Sequence, residues 1–370
     1  MQVNSKRNRV GIVSTAQTLL RPAWSDAQHI DLISAVVQRA LKGSGLRIED
    51  IDFVIDSGSD VLDGRSISNC GFLGAMGAHH KEESRVEDDG LWAALYGVTK
   101  IASGAADVGL IIAYSKPSES DVSKFFSTMA DPFYQRTVGF NENTASGLMA
   151  QSYLGRHGLS EEDLAEVAAS AWARAATNPH VELASVPDHD AVMASPMIAS
   201  PLRQLMMARP VDGAVAIVLA SERFARRVTS TPVWVTGMGS AMESNVFTMR
   251  APGLDACAKA ARSAYARAGV VIDKIESAEL SATSAVAELM TLEALGLAEP
   301  GRALDVVRGS RGHLLNASGG AIPANPIMAT GLVRLAEATE RIREGRAANA
   351  VVHASSGLGA QSHCVFVVEV

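Results

Sequence analysis

Three consecutive acidic residues, Glu87, Asp88 and Asp89, stand directly before an apolar stretch that is predicted to form a helix over about Leu91–Ile101. Carboxylates at a helix N-terminus accept the free backbone N–H groups of the first turn and complement the helix dipole. This capping role is the favoured interpretation. The chemical alternative is that Glu87 places a fixed negative charge in a site or removes a proton there as a general base.

The chain has three cysteines, Cys70, Cys257 and Cys364, an odd number without the CxxC spacing of many zinc sites. Reduced thiols suit this pattern better than a disulfide framework, and we predict no metal site. Each cysteine is expected to be a small buried side chain rather than a nucleophile. Among the nine histidines, His353 lies nearest to an expected pocket, since it comes at the end of a strand, where α/β proteins bind ligands; a structural role is favoured there too.

The composition excludes several classes of partner. The net charge is −7 and no Lys/Arg cluster goes beyond Arg226-Arg227, so nucleic acid and anionic membranes are not expected ligands. No apolar run approaches the ~20 residues that span a bilayer, and the opening MQVNSKRNR lacks the apolar stretch of a signal peptide. We therefore expect a cytoplasmic protein.

The acidic residues and His353 are placed by alternating strands and helices. The apolar runs Val10–Ser14, Phe53–Ile55 and Val108–Tyr114 read as strands that are buried on both faces. Helices are predicted over Asp31–Leu41, where apolar residues recur at helical spacing, over Leu91–Ile101 and over Glu161–Ala176. This alternation is typical of an α/β protein.

The layout recurs along the chain. Gly43–Val54 lines up with Arg267–Ala278, and Lys100–Ser115 lines up with Arg341–Ser356, in the same order of helix, glycine and strand. We therefore predict two copies of one fold, although any two β-α-β segments share some of this pattern. The predicted boundaries are residues 1–225 for the N-terminal half, about 117–200 for a loop region inserted in it, and 226–370 for the C-terminal half.

Five segments carry recognisable motifs, namely Arg85–Lys116, Ser200–Glu222, Ala278–Leu297, Leu314–Leu332 and His353–Ala360. In this order they resemble the motifs of the thiolase superfamily, and most closely those of its sterol-carrier-protein-type branch, over nearly the whole chain. The resemblance implies an α/β thiolase fold, in which two βαβαβαββ halves form five αβαβα layers. It also implies an acyl-CoA-related function.

Thiolases take an acyl group onto a cysteine thiolate and move a proton with a second cysteine or a histidine. In this chain the motif places Glu87, followed by Asp88, where the family has its nucleophilic cysteine. Ser281 stands for a histidine, Asn325 for the histidine of the GHP motif, and Ala354 for the second cysteine of many members. The resemblance therefore implies a pocket without the reactive groups of the family.

Glycines match the family more closely than the reactive positions do. Gly319, Gly320, Gly357 and Gly359 fall in two loops that border the acyl and CoA pocket in thiolases, where close backbone approach needs glycine. The resemblance makes a coenzyme A thioester a potential ligand, and no tightly bound cofactor is expected.

Two functions follow from these observations. The favoured one is a non-catalytic, acyl-CoA-associated subunit of lipid or steroid metabolism, as a homodimer or paired with an active thiolase paralogue or a small acyl-CoA-binding protein of the OB-fold/zinc-ribbon type. The alternative is an enzyme that needs no acyl-enzyme and breaks a carbon–carbon bond by a retro-aldol or decarboxylative route. It would use Glu87 or His353 as the base and Asn325 or loop amides to stabilise an enolate. Ordinary acyl-CoA C-acyltransferase activity is the least expected.

Overall fold

The computed structural model describes residues 9–250, 252–310 and 312–370. Residues 1–8 lie outside these ranges. They make up most of the polar opening MQVNSKRNR, for which no signal peptide is predicted. Within the described ranges, every helix is too short or too polar to cross a bilayer.

Eleven strands are present in the described residues, and nine of them form one mixed sheet. Their bounds are β1 Val10–Gln17, β2 Phe53–Ser57, β3 Glu82–Val86, β4 Val108–Ser115, β5 Met197–Ala199, β6 Leu202–Arg203, β7 Gly213–Ser221, β8 Val233–Met242, β9 Ala278–Leu280, β10 Asn349–Ser356 and β11 Ser362–Glu369. The large sheet has the order β3-β2-β4-β7-β1-β8-β11-β10-β9, while β5 and β6 pair separately.

The α-helices of the described residues lie between these strands. Their bounds are α1 His29–Ser44, α2 Asp60–Asp63, α3 Leu73–Met76, α4 Gly90–Ala102, α5 Val122–Met129, α6 Glu142–His157, α7 Glu161–Ala175, α8 His189–Ala194, α9 Glu222–Val228, α10 Asp255–Ala268, α11 Ala285–Ala294, α12 Ala303–Arg308 and α13 Thr330–Arg343. Helices α5 to α8, with β5 and β6, fall between β4 and β7 and form the loop region.

The strand pairing repeats on the two sides of the seam between β1 and β8. In the N-terminal half β2 and β4 are parallel, and β7 and β1 follow as antiparallel neighbours. In the C-terminal half β9 and β10 are parallel, and β11 and β8 follow in the same antiparallel way. The N-terminal half has β3 as an additional parallel edge strand.

The buried apolar residues form three large clusters that define five layers. One cluster joins α4 and α13 to strands of both halves, with Leu91 and Leu332 among its members, so these two helices form the middle layer. A second cluster packs α1, through Val36, on the outer face of the N-terminal strands. A third packs α10, through Cys257, on the outer face of the C-terminal strands. The strands of the two halves therefore form separate layers on either side of α4 and α13, although β1 and β8 join them into one sheet. The order of layers is α, β, α, β, α.

The predicted elements lie close to the observed ones. The helix expected over Asp31–Leu41 is α1, which ends at Gly45 in the left-handed conformation that glycine favours. The strand expected over Val108–Tyr114 is β4, in which all eight residues are buried. The expectation that every cysteine is buried is wrong for Cys70, which is exposed in a short 3-10 turn.

Candidate functional site

Asp89 caps the N-terminus of α4 and is fixed from two sides. One of its carboxylate oxygens, Oδ1, accepts the N–H of Leu91 at 2.8 Å, and Oδ2 accepts the N–H of Gly331 at the start of α13 at 2.8 Å. A Cβ atom on Gly331 would lie 2.1 Å from Asp89 Oδ1, so this contact requires glycine. Burial, together with the neighbouring charge of Asp88, raises the pKa of Asp89 to about 7.

The other two acidic residues of this turn have different surroundings. Glu87 is half-exposed, and its carboxylate binds the guanidinium of Arg85 at 3.0 Å and the N–H of Asp60 at 2.7 Å. Asp88 is partly buried, and its carboxylate accepts the N–H of Asp89 at 2.8 Å; burial raises its pKa. Of the three, only Asp89 lines a cavity described here.

That cavity, which we call the inner cavity, has a volume of about 40 Å³ and lies between the start of α4, the loop after β9 and the loop after β10. Its wall combines carboxyl, hydroxyl and amide groups with apolar side chains from α5 and from the segment before α13. The polar part is formed by Asp89, Glu142, Ser281, Thr283, Asn325, Ser355 and Ser356, and the apolar part by Phe125, Phe126, Met129, Ile327 and Met328.

Glu142, the first residue of α6, is the second buried carboxyl group of the wall. Its Oε1 accepts the hydroxyl of Thr283 at 2.9 Å, and its Oε2 accepts the N–H of Gly359 at 2.9 Å. Burial raises its pKa. Glu142, Thr283 and Asn325 also line a larger outer cavity of about 240 Å³. The carboxyl group therefore lies where the two cavities meet.

Asn325 presents an amide donor at this junction. Its N–H donates to the carbonyl of Arg209 at 2.9 Å, and its carbonyl accepts the N–H of Val211 at 3.1 Å. Its Oδ1 accepts the hydroxyl of Thr330 at 2.5 Å, so the group that the side chain has left for a ligand is its NH₂. A fixed N–H donor of this kind can stabilise a developing oxyanion.

Ser281 also lines the inner cavity and follows β9 directly. Its N–H donates to the carbonyl of His353 at 3.0 Å, and its carbonyl accepts the hydroxyl of Ser355 at 2.8 Å. These two bonds hold the ends of β9 and β10 side by side, which brings Ser281 and Ser355 to the inner cavity.

The remaining predicted residues are distributed around this site. Gly357 lines the inner cavity, and Gly359 binds Glu142 through its N–H. Gly319 and Gly320 both have positive φ, and a Cβ atom on Gly319 would lie 2.5 Å from Ala175, so these two glycines serve backbone packing. Ala354 is buried against the middle layer, where a Cβ atom on Gly331 would lie 2.5 Å from its methyl group.

His353 is completely buried and does not line either cavity. Its Nε2 lies 3.0 Å from Nδ1 of His363, and burial lowers the pKa of His353 well below its usual value. The three cysteines are also absent from the described lining of the two cavities. The chemistry of these cavities therefore rests on carboxyl, hydroxyl and amide groups.

Sequence reasoning did not identify Glu142 and treated Asp89 only as part of the acidic turn. Glu142 follows Asn141, which caps α6 through a hydrogen bond to Thr144. An acidic residue in the first turn of a capped helix is common for structural reasons. Its sequence context therefore carries no signal that separates a pocket residue from a capping residue.

Residues 239–368 match the family described as "Thiolase C-terminal domain-like". The chain is 26% identical over 348 residues to an acetyl-CoA acetyltransferase of Methanothermobacter thermautotrophicus, a match that covers 90% of this chain and 91% of that protein.

Two solved structures have a similar fold. The structure named "Ltp2-ChsH2(DUF35) aldolase" superposes with a TM-score of 0.82 at 22% identity, over 98% of this chain and 97% of that one. A monomeric SCP2-thiolase-like protein of Mycobacterium smegmatis superposes with a TM-score of 0.78 at 21% identity, over 99% of this chain and 77% of that one. The expected α/β thiolase fold is confirmed.

Proposed function

We propose that this thiolase-like protein, a relative of the SCP2-thiolases and acetyl-CoA acetyltransferases, breaks a carbon–carbon bond of a β-hydroxyacyl-CoA thioester by a retro-aldol reaction. The observation that carries the proposal is the pair of buried carboxyl groups, Asp89 and Glu142, on the wall of a cavity whose described lining contains no cysteine. A pKa of about 7 lets Asp89 remove and return protons near neutral pH.

The two cavities suggest how the substrate is oriented. The outer cavity has room for the pantetheine end of a thioester, whereas the inner cavity takes only the reacting atoms. The thioester oxygen then lies at the junction, within reach of the NH₂ group of Asn325. The β-hydroxyl group lies deeper, beside Asp89.

In the proposed reaction the Asp89 carboxylate takes the proton of the β-hydroxyl group. The bond between Cα and Cβ breaks, its electron pair forms the enolate of the thioester, and the hydroxyl oxygen becomes a carbonyl oxygen. Glu142 then gives a proton to Cα. Burial raises the pKa of Glu142, so this group stays protonated at a higher pH than an exposed glutamate does. The products are a shortened acyl-CoA and an aldehyde or ketone, and proton exchange with water restores both carboxyl groups.

The similarity to a protein whose name contains "aldolase" supports this reaction class. That name also pairs the protein with a DUF35 component, and we propose that this chain likewise assembles with a small acyl-CoA-binding partner. The decarboxylative route has no comparable support, because neither cavity is lined by lysine or arginine among the described residues to hold a substrate carboxylate.

A non-catalytic subunit is the second candidate function. It is favoured by the size of the inner cavity, which at about 40 Å³ has room for only a few heavy atoms. In that case the partner would be an active thiolase, and the buried carboxyl groups would only cap α4 and hold the glycine loop.

The test uses the protein purified without an affinity tag from its own host, together with whatever co-purifies. The preparation is incubated with 3-hydroxyacyl-CoAs of increasing length and branching, and products are measured by mass spectrometry after carbonyl trapping with a hydrazine. We expect shortened acyl-CoA and a carbonyl compound in equal amounts. Absence of both, with acyltransferase activity that depends on a co-purifying cysteine-containing thiolase, would establish the non-catalytic function instead.

A further inference from the structure

A second group of buried polar residues lies on the far side of the C-terminal strands. His353 on β10 and His363 on β11 point to the same face, since these antiparallel strands pair His353 with Val365 and Ser355 with His363. Helix α10 packs on this face and brings Cys257 against them. Each of the three residues is 0% exposed.

The three side chains offer a compact set of donor atoms. One nitrogen of each imidazole and the sulfur of Cys257 all lie within 4.8 Å of one another. Nε2 of His353 and Nδ1 of His363 are 3.0 Å apart. Two nitrogens bound to one tetrahedral ion at ~2.0–2.1 Å are separated by about 3.3 Å, so a small movement of the rings would admit an ion.

The contact between the two rings is one in which the facing nitrogens, Nε2 of His353 and Nδ1 of His363, can share at most one proton. Nδ1 of His353 is buried and has no hydrogen-bond partner among the described residues. The neighbours of the two rings in the cluster are apolar, including Val351, Val365 and Val367. Buried polar atoms without partners are rare in proteins. Apolar packing alone does not explain why two histidines lie side by side in this core.

We propose that Cys257, His353 and His363 bind one soft d¹⁰ metal ion, of the Zn²⁺ or Cu⁺ kind, which ties α10 to β10 and β11. Thiolate and imidazole are the ligands that these ions prefer. On binding, the Cys257 thiol loses its proton to solvent, and both imidazoles bind as neutral rings. Three protein ligands suffice for Cu⁺, whereas Zn²⁺ would add a water molecule.

The proposed ion is structural and is independent of the proposed reaction. None of the three ligands lines the inner or the outer cavity. The link to the site is through the backbone, because the carbonyl of His353 accepts the N–H of Ser281. An ion at this position would therefore stabilise the strand that carries one wall of the inner cavity.

The proposal is tested by metal content of the untagged full-length chain. The protein is measured by native mass spectrometry as isolated, and again after chelation and reconstitution under reducing conditions with Zn²⁺ alone or Cu⁺ alone. We expect about one equivalent of one of these ions, retained through gel filtration, and a higher Tm in the loaded form. The ion that is retained against a competing chelator identifies the native metal.

Cys257→Ser and Cys364→Ser form a matched pair of variants. Both cysteines are completely buried, but Cys364 belongs to the apolar cluster on the opposite face of β11. We expect Cys364→Ser to keep the ion and Cys257→Ser to lose at least ten-fold in metal affinity. Wild-type protein that retains no ion after reconstitution, or equal affinity in the two variants, would overturn the proposal. Neither result depends on turnover of an acyl-CoA.

Discussion

The two buried polar sites of the molecule, one between the two halves and one in the C-terminal half, respond to burial in opposite ways. At the inner cavity the carboxyl groups of Asp89 and Glu142 accept hydrogen bonds from backbone N–H groups, and burial raises their pKa values. At the cluster of Cys257, His353 and His363, burial lowers the pKa of each imidazole and leaves Nδ1 of His353 without a partner among the described residues. These differences are why we propose proton transfer at the first site and metal binding at the second.

The raised pKa of Asp89 also determines how pH affects stability at the inner cavity. The pKa of Asp89 is about 7 in the folded chain and 3.8 when unperturbed, so the folded chain binds more protons than the unfolded chain between these values. Its contribution to the free energy of unfolding is therefore present below about pH 4 and is lost as pH rises towards about 7. The ionised carboxylate, which is the form that the proposed reaction uses, is therefore the form that lowers the free energy of unfolding.

The largest effect is expected from Asp89→Asn. The amide can still accept the N–H of Leu91 through its oxygen, but it loses the bond from Gly331 and cannot accept a proton. We therefore expect kcat/KM for retro-aldol cleavage to fall by about 10²–10⁴-fold. Asp188→Asn is the control, because Asp188 also caps a short helix but lies outside both cavities. Steady-state kinetics give kcat/KM for both variants, and Tm shows whether each of them is folded. Equal activity of the two variants would show that Asp89 is only a cap.

A smaller loss is expected from Asn325→Ala. Removing the NH₂ donor should lower kcat/KM by about 10²-fold, because one fixed donor to a developing oxyanion contributes at the level of ~3 kcal/mol. Asn325→Asp distinguishes charge from hydrogen bonding, since a carboxylate repels the enolate and should be worse than alanine. If alanine and aspartate both kept wild-type kcat/KM, the thioester oxygen would not lie at the junction of the cavities.

Gly331→Ala tests how far the site depends on the contact between α4 and α13. A methyl group would collide with Asp89 Oδ1, and we expect a loss of about 1–3 kcal/mol in the free energy of unfolding. Gly155→Ala is the matched control within a helix, where an added Cβ atom has no neighbour within 4 Å; its stability should rise by up to about 1 kcal/mol. Denaturant unfolding of both variants gives the difference. Equal stabilities would mean that the N-terminus of α4 adjusts freely.

The sequence predicted the layers and several elements well, because apolar runs and helical periodicity record burial directly. β4 and α1 are examples, and both begin within two residues of their predicted positions. The pocket was harder to predict. Alignment to the family pointed to Glu87, yet the chain turns so that Glu87 faces Arg85 and Asp89 faces the cavity. A shift of two residues at a helix start changes which carboxylate is buried, and neither composition nor periodicity reports it.

Contacts between residues that are distant in sequence also could not be predicted. Cys257 lies about a hundred residues before His353, and each was expected to play a separate structural role. Their approach depends on the packing of α10 against β10 and β11, which no local pattern encodes. The same reason hides Glu142, whose partners Thr283 and Gly359 belong to the other half of the fold.

The smallest expected effect concerns the pH dependence of activity and sharpens the contrast between the two sites. Because Asp89 must be ionised to act as a base, kcat/KM should rise with pH through an apparent pKa of about 7. The charge of Asp88 is one cause of this raised pKa, so Asp88→Asn should move the rise to lower pH by a fraction of a unit. Asparagine can still accept the N–H of Asp89, which keeps the turn intact. The exposed control Asp188→Asn should leave the pH profile unchanged. A profile that also does not move in Asp88→Asn would assign the titration to a group other than Asp89.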